Sequence, residues 1–175
     1  MTLTTAAVLG TGAWGTTFAQ VLADAGVTVT MWGRNADTIS FINGGENPTY
    51  LPGIALSDRI SATAEITEAV AGRELVVVAV PVKAVRATLS AAREAFAPGV
   101  ALLSLAKGLE LGSLKRVDEI IAEASGVPEN RIAVLSGPNL SREIAQRQPT
   151  ATVVAASDVE LAKEIAKACH NSYFR

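Results

Sequence analysis

The run Ala6-Ala7-Val8-Leu9 passes directly into Gly10-Thr11-Gly12-Ala13-Trp14-Gly15, and the residues that follow carry the period of a helix. An apolar strand, a glycine turn and a helix start, in that order, make the arrangement that holds a dinucleotide pyrophosphate. Each glycine has its own task. Gly10 lets the chain turn tightly, Gly12 leaves room for phosphates to approach the backbone, and Gly15 lets the helix pack closely on the strand. The phosphates would then meet unpaired N–H groups at the positive end of the helix. GxGxxG alone is a weak signal, because glycine turns are common. Here the stripe Phe18, Val21, Leu22 and Ala25, ended by Gly26 ahead of the next apolar run, completes a βαβ unit.

The chain has 175 residues, 49% of them hydrophobic and 18% charged, enough to bury the core of one domain. A formal net charge of −2 and the lack of any Lys/Arg run argue against nucleic acid as a partner. The longest strongly apolar run, Leu75 to Val82, contains Pro81 and falls far short of the roughly 20 residues a membrane span needs. It reads as a buried strand. The N-terminus enters the first strand with no basic segment or separate apolar stretch before a cleavage site, which leads us to expect a cytoplasmic protein. Cys169 is the only cysteine, so no internal disulfide can form, and its place on the apolar side of a helix reads as core. No metal site is expected.

Apolar runs of strand length alternate with helical segments, the pattern of a doubly wound, mainly parallel α/β sheet with helices on both faces. The expected strands are Ala6–Leu9, Thr28–Trp32, Leu75–Val80, Val100–Leu105 and Ile132–Leu135, with Thr152–Ala156 added at the end. One helical stripe is Val85, Leu89, Ala92 and Phe96, and another is Leu114, Val117, Ile120, Ile121 and Ala124. Ile39 to Ile42 suggests a short helix. The breaker-rich stretch Gly44 to Gly53 reads as a loop able to line a site, and Ser157-Asp158-Val159-Glu160 as a capping box opening a helix through Cys169.

Ligands of open α/β sheets bind beyond the carboxyl ends of the strands, so the residues just after each strand are the candidates. After the second strand come Gly33-Arg34-Asn35, where an NAD-specific protein commonly places an acid. Arg34 there either pairs with a 2′-phosphate, pointing to NADPH, or is a surface arginine. After the third strand, Pro81-Val82-Lys83 makes a sharp exit beside a bound nicotinamide. After the fourth stands Lys107-Gly108, whose ammonium is aimed at the cleft and suits a phosphorylated substrate or a carbonyl oxygen. After the fifth, Ser136-Gly137-Pro138-Asn139-Leu140-Ser141 opens a short helix, a second place for phosphate or sugar hydroxyls, or else simple capping.

With these residues in view, the chain resembles the bacterial NAD(P)-dependent glycerol-3-phosphate dehydrogenases. The resemblance rests on Gly10–Thr16, Trp32–Arg34, Asn47–Pro52, Ala106–Glu110 and Ser136–Ala145, in the family's order and spacing over nearly the whole chain. It implies reversible hydride transfer between NADPH or NADH and dihydroxyacetone phosphate, giving sn-glycerol 3-phosphate for phospholipid synthesis. It also implies that Gly10, Gly12, Ala13, Trp14, Gly15, Arg34, Lys107 and Ser141 bind the cofactor (NADP or NAD), and that Lys107, Gly137 and Asn139 bind the substrate. Asn139 stands where many members have serine or threonine, and Ser141 where many have alanine. Residues 1–175 then form the dinucleotide-binding domain, and the resemblance places a helical substrate domain, with the proton-transfer lysine, after residue 175. The partners it implies are a small phosphorylated molecule and, in the full-length enzyme, a homodimer. Two other readings stay open: a sensor that binds NAD(P)(H) without catalysis, and a two-domain hydroxyacid or ketopantoate type of reductase.

Overall fold

The computed structural model describes residues 3–175. Seven strands, β1 (Thr5–Leu9), β2 (Thr28–Trp32), β3 (Ile60–Thr63), β4 (Leu75–Val78), β5 (Ala101–Ser104), β6 (Ile132–Ser136) and β7 (Val153–Ala156), form one sheet in the order β3-β2-β1-β4-β5-β6-β7. The first six strands run parallel, and β7 pairs antiparallel with β6. Among the described residues, six α-helices lie between the strands, α1 (Ala13–Asp24), α2 (Ala36–Asn43), α3 (Ile66–Val70), α4 (Val82–Ala92), α5 (Val117–Ser125) and α6 (Ser141–Ala145), and α7 (Val159–Cys169) follows β7. Among the described residues, no helix is long and apolar enough to cross a membrane, and no cluster of residues suits a metal ion.

The central strands β1, β4 and β5 are apolar at every position but Thr5 and Ser104, because both faces are covered. Ala6 and Val8 of β1, with Leu75 and Val77 of β4, pack into the core under α1 and α7, which includes Phe18, Leu22, Ile165 and Phe174. Their neighbours Ala7, Leu9, Val76 and Val78 face the other way, against Val85 and Leu89 of α4 and Ile120 and Ile121 of α5. Between β1 and β4 the chain reverses its direction of winding: β2 and β3 add on one side of β1, β4 to β7 on the other. A crevice opens beyond the carboxyl ends of strands at such a point.

Several expectations are corrected here. β4 stops at Val78, and Ala79 and Val80 leave the strand to border the crevice. β5 ends at Ser104, with Leu105 donating its N–H to Val78 O, 3.0 Å away. Strand β3 and helix α3 were not anticipated, since Ile-Ser-Ala-Thr is a short, half-polar edge segment and α3 is five residues long. Leu114 does not join its stripe: it is 71% exposed with φ +55°, and α5 begins at Val117. Phe96 lies beyond α4, after a 3-10 turn, and only partly buries. The cap of α7 is Asp158, whose carboxylate accepts from Glu160 N and Leu161 N, while Ser157 Oγ donates to Glu129 O. Cys169 is buried, and its desolvated thiol is pushed up to about 11.

One polar cluster ties the end of α1 to the C-terminal segment. Asp24, at the end of α1, accepts from Gln20 Nε2 (2.7 Å), Tyr173 Oη (2.8 Å) and the Arg147 guanidinium (3.1 and 3.3 Å). Tyr173 and Arg175 in turn bond Thr150 and Thr152. Burial raises the Asp24 carboxyl, but the donors around it outweigh that and hold it below the ordinary carboxylate value. A depressed folded-state pKa adds stability that is present above the unfolded value, about 3.9, and is lost as pH falls through the folded value. Asp24→Asn should therefore cost about 1–3 kcal/mol at pH 7, and denaturant melts should show the gap to the unaltered chain narrowing below about pH 4.

Candidate functional site

Gly10 leaves β1 with φ +126°, and its N–H donates to Trp32 O, 2.9 Å away. A Cβ at Gly10 would lie 2.7 Å from Ala79 O, and one at Gly15 would lie 2.3 Å from Gly10 O. Both positions are closed to any side chain by neighbouring backbone. Gly12 is different, since a Cβ there would meet nothing within 4 Å. It borders a cavity of about 500 Å³ together with Gly10, Thr11, Trp14, Trp32, Gly33, Arg34, Tyr50, Ala79–Pro81, Leu105 and Ala106. Gly10 and Gly15 thus allow backbone contact, and Gly12 leaves open space at the edge of the cavity.

Helix α1 opens at Gly12 with no side-chain cap and no acid in its first turn. Helices α2, α3, α5, α6 and α7 each carry an acid there, whereas α4, opening after Pro81, shares the bare start of α1. The start of α1 borders the cavity at Gly12 and Trp14, where unpaired N–H groups suit an anion. Trp14 stands over this end, edge-on to Phe18 with ring centroids 5.7 Å apart. Arg34 is exposed at the rim, and Asn35 beside it caps α2 by accepting from Thr38 N at 2.8 Å. Ala13 is the first residue of α1, between cavity-lining Gly12 and Trp14, and Gly15 is buried behind the turn.

The loop 44–53 lines the crevice as expected, through the half-exposed Tyr50. How it is fastened was not legible. Asn47 is completely buried, and its Nδ2 donates to Thr11 O (3.1 Å) and Thr16 Oγ1 (2.8 Å). Thr16 Oγ1 also donates to Thr11 O (3.2 Å), closing a triangle behind the glycine turn. Thr11's side chain fills the space a Cβ on Gly33 would need, at 2.6 Å.

A second group of polar atoms adjoins the first. Lys107 follows cavity-lining Ala106, and its Nζ donates to Gly137 O at 3.0 Å. Asn139 Nδ2 donates to Thr152 Oγ1 (3.3 Å), which donates to Ser136 O (3.0 Å). Those bonds fix the carboxamide's orientation, and Asn139 Oδ1 is buried with no partner among the described residues. The structure thus brings Lys107 onto Gly137, 30 residues further along the sequence, with Asn139 two residues beyond in the same turn. Ser141 sits apart from the cavity lining: it opens α6, and its carbonyl accepts from Thr17 Oγ1 at 3.2 Å. Helix α6 is a single five-residue turn, so its dipole adds little.

The loop carrying Lys107 is braced from outside. Arg86 grips Glu110 through two bonds of 2.9 and 2.8 Å and also reaches Glu123 at 3.0 Å. The guanidinium, with Ser113 beside it, pulls the Glu110 carboxyl down to about 2.

The family described as NAD-dependent glycerol-3-phosphate dehydrogenase N-terminus matches residues 5–162. The glycerol-3-phosphate dehydrogenase [NAD(P)+] of Thermobifida fusca (strain YX) is 50% identical over 175 residues, covering 99% of this chain and 52% of the relative. The enzyme of the same name from Streptomyces griseus is 50% identical over 171 residues, 97% of this chain and 51% of its own. The chain spans about half the length of these curated relatives. Among solved structures, glycerol-3-phosphate dehydrogenase from Coxiella burnetii superimposes with a TM-score of 0.90 at 28% identity, over 99% of this chain and 53% of that one. The Saccharomyces cerevisiae counterpart gives 0.86 at 26%, over 100% and 56%.

The glycine contacts generate a direct contrast. Gly12→Ala should change stability by no more than about 0.5 kcal/mol, whereas Gly15→Ala forces backbone apart and should cost about 1–3 kcal/mol or more. Paired thermal melts check this, and equal losses would contradict it.

Proposed function

Because the chain belongs to the family of NAD-dependent glycerol-3-phosphate dehydrogenase N-terminal domains, we propose that it is the cofactor-holding half of such an enzyme. The reaction is reversible hydride transfer between NAD(P)H and dihydroxyacetone phosphate, giving sn-glycerol 3-phosphate. The observation that carries this reading is the juxtaposition of two sites: an uncapped, acid-free helix start behind open Gly12, and Lys107 one residue beyond the same cavity. A sensor of dinucleotides needs the first and has no use for the second.

The residues fit the cofactor. The α1 N–H groups receive the pyrophosphate, Trp14 and Tyr50 wall the cavity, and Arg34 faces the ribose end, where no carboxylate occupies Gly33 to Asn35. Arg34 pairs with a 2′-phosphate, so NADPH is bound at least as well as NADH. A bound reduced nicotinamide supplies the hydride. Lys107 offers its ammonium to the substrate's phosphate or carbonyl oxygen, and Gly137 with Asn139 Oδ1 offers further polar contacts. Delivering the proton falls to a group beyond these residues, in the helical domain that follows in the complete enzyme. His170, the only histidine, is exposed after α7. Lys107 is better placed to hold charge than to cycle a proton. In this reading the complete enzyme acts in the cytoplasm as a homodimer.

Fluorescence titration of the 175-residue chain should show NADPH binding. Arg34→Ala should weaken NADPH more than NADH, by about 1–3 kcal/mol, and equal losses would remove the 2′-phosphate assignment. Gly12→Val should abolish binding of both cofactors with the melting profile retained. The chain alone should not oxidise NADPH on adding dihydroxyacetone phosphate, since ketone reduction needs a positioned proton donor and a closed site. Substrate-dependent turnover by the purified chain would place the donor within these residues.

A further inference from the structure

We propose that Asn47 is the positioning residue of the glycine turn, and that the loop it anchors brings Tyr50 against the bound dinucleotide as a cofactor-contacting side chain. This inference rests on reading the crevice as the cofactor site and goes beyond it.

A phosphate-binding turn works only if its carbonyls point away from the ligand. Thr11 lies between Gly10 and Gly12, and its carbonyl is the acceptor for both Asn47 Nδ2 and Thr16 Oγ1. Both donors sit behind the turn, on residues with no exposure. They hold the Thr11 carbonyl away from the place where an anion would approach. The side of Thr11 is fixed independently by its packing where Gly33 lacks a Cβ. The turn is thus clamped by β2 on one side and by Asn47 on the other.

Asn47 accepts a cost in doing this. Its Oδ1 is buried with no partner among the described residues, and a buried, unpaired amide oxygen is a standing penalty. The partners leave no relief by rotation: exchanging oxygen and nitrogen would set an acceptor against the Thr11 carbonyl and remove the donor from it. A penalty kept in the wall of a ligand site points to a task for the donor side of the amide. The second part of that task is visible in the loop itself. Asn47 O accepts from Tyr50 N (3.2 Å) and Leu51 N (2.8 Å), making a turn that starts at the anchor and places Tyr50 in the cavity wall, 48% exposed. One residue therefore sets both the turn beneath the ligand and the aromatic wall beside it.

The test is NADPH titration of the full 175-residue chain and its variants, measured well below their melting temperatures. Asn47→Ala and Asn47→Asp should weaken NADPH about tenfold or more, the factor that matches one positioned hydrogen bond. Tyr50→Ala should weaken it several-fold in the unaltered chain and have little further effect on Asn47→Ala, because the anchor that presents the ring is already gone. Thr16→Val, close in shape, supplies the same test if the Asn47 variants fail to fold: it should reproduce the loss, and Thr16→Ser should restore affinity. Amide resonances of Gly12 and Ala13 should shift on NADPH addition in the unaltered chain, and shift less at saturation in the Thr16→Val chain. Unchanged affinity in the folded variants, or fully additive Tyr50 and Asn47 losses, would overturn this inference while leaving the cofactor site intact. Failure of the unaltered chain to bind NADPH would overturn the functional reading and this inference together.

Discussion

The close approach of backbone to backbone at the first turn is the constraint on which the rest of the molecule depends. The Gly15 α-carbon packs against Gly10 O, and Gly10 packs against Ala79 O, at distances that leave no room for a methyl group. That contact seats α1 directly on the carboxyl ends of β1 and β4. It thereby fixes where the helix start points and how far the strand exits separate. The ladder continues through it, with Gly10 N donating to Trp32 O and Ala79 N to Leu9 O, both at 2.9 Å. The crevice is the space bordered by the ends of β1, β2 and β4 and the start of the helix seated on them.

The polar chemistry hangs on this frame in two linked pieces. On one side, the glycine turn is held from behind by a buried amide and hydroxyl. On the other, Lys107 reaches across from the end of β5 to the carbonyl of Gly137 beyond β6, and Asn139 is oriented by Thr152 at the start of β7. The Arg86–Glu110 pair is about two-fifths exposed on the arginine side, so its strength is modest in water, but its two-point geometry restricts the loop that carries Lys107. Position, more than interaction energy, is what these bonds supply.

Much of this was legible in the sequence because it depends on short-range signals. The five parallel strands expected from apolar runs are present, since strands buried on both faces must be apolar at nearly every position. The glycine turn was legible as a turn, and the close backbone approach at Gly10 and Gly15 and the open space at Gly12 agree with the spacing of the three glycines. Edge strand β3 escaped notice because only one in two of its residues is buried, and Ser61 and Thr63 give it no distinctive pattern. Leu114 was assigned to a helix because spacing counts apolar residues without regard to backbone. In the structure it sits in a left-handed conformation two residues after Gly112, in the turn before α5. The cap of α7 moved by one residue because Ser157 and Asp158 both suit the position and only the carboxylate turns back to the helix. The bonds that assemble the site were beyond reach for a common reason. Asn47 meets residues 31 and 36 positions away, and Lys107 meets one 30 away, and no local pattern encodes such pairings.

The central claim, that the crevice beyond β1, β2 and β4 holds the pyrophosphate of a dinucleotide, is tested most directly by mapping NADPH onto the chain with backbone amide resonances. The account predicts that the largest changes fall on Gly12, Ala13, Trp14 and Arg34, with Tyr50 and Ala79 next. The polar cleft between α5 and β7, around Val134 and Ala155, should stay unaffected. Changes centred on that second cleft, or spread evenly over the surface with the glycine turn silent, would contradict it.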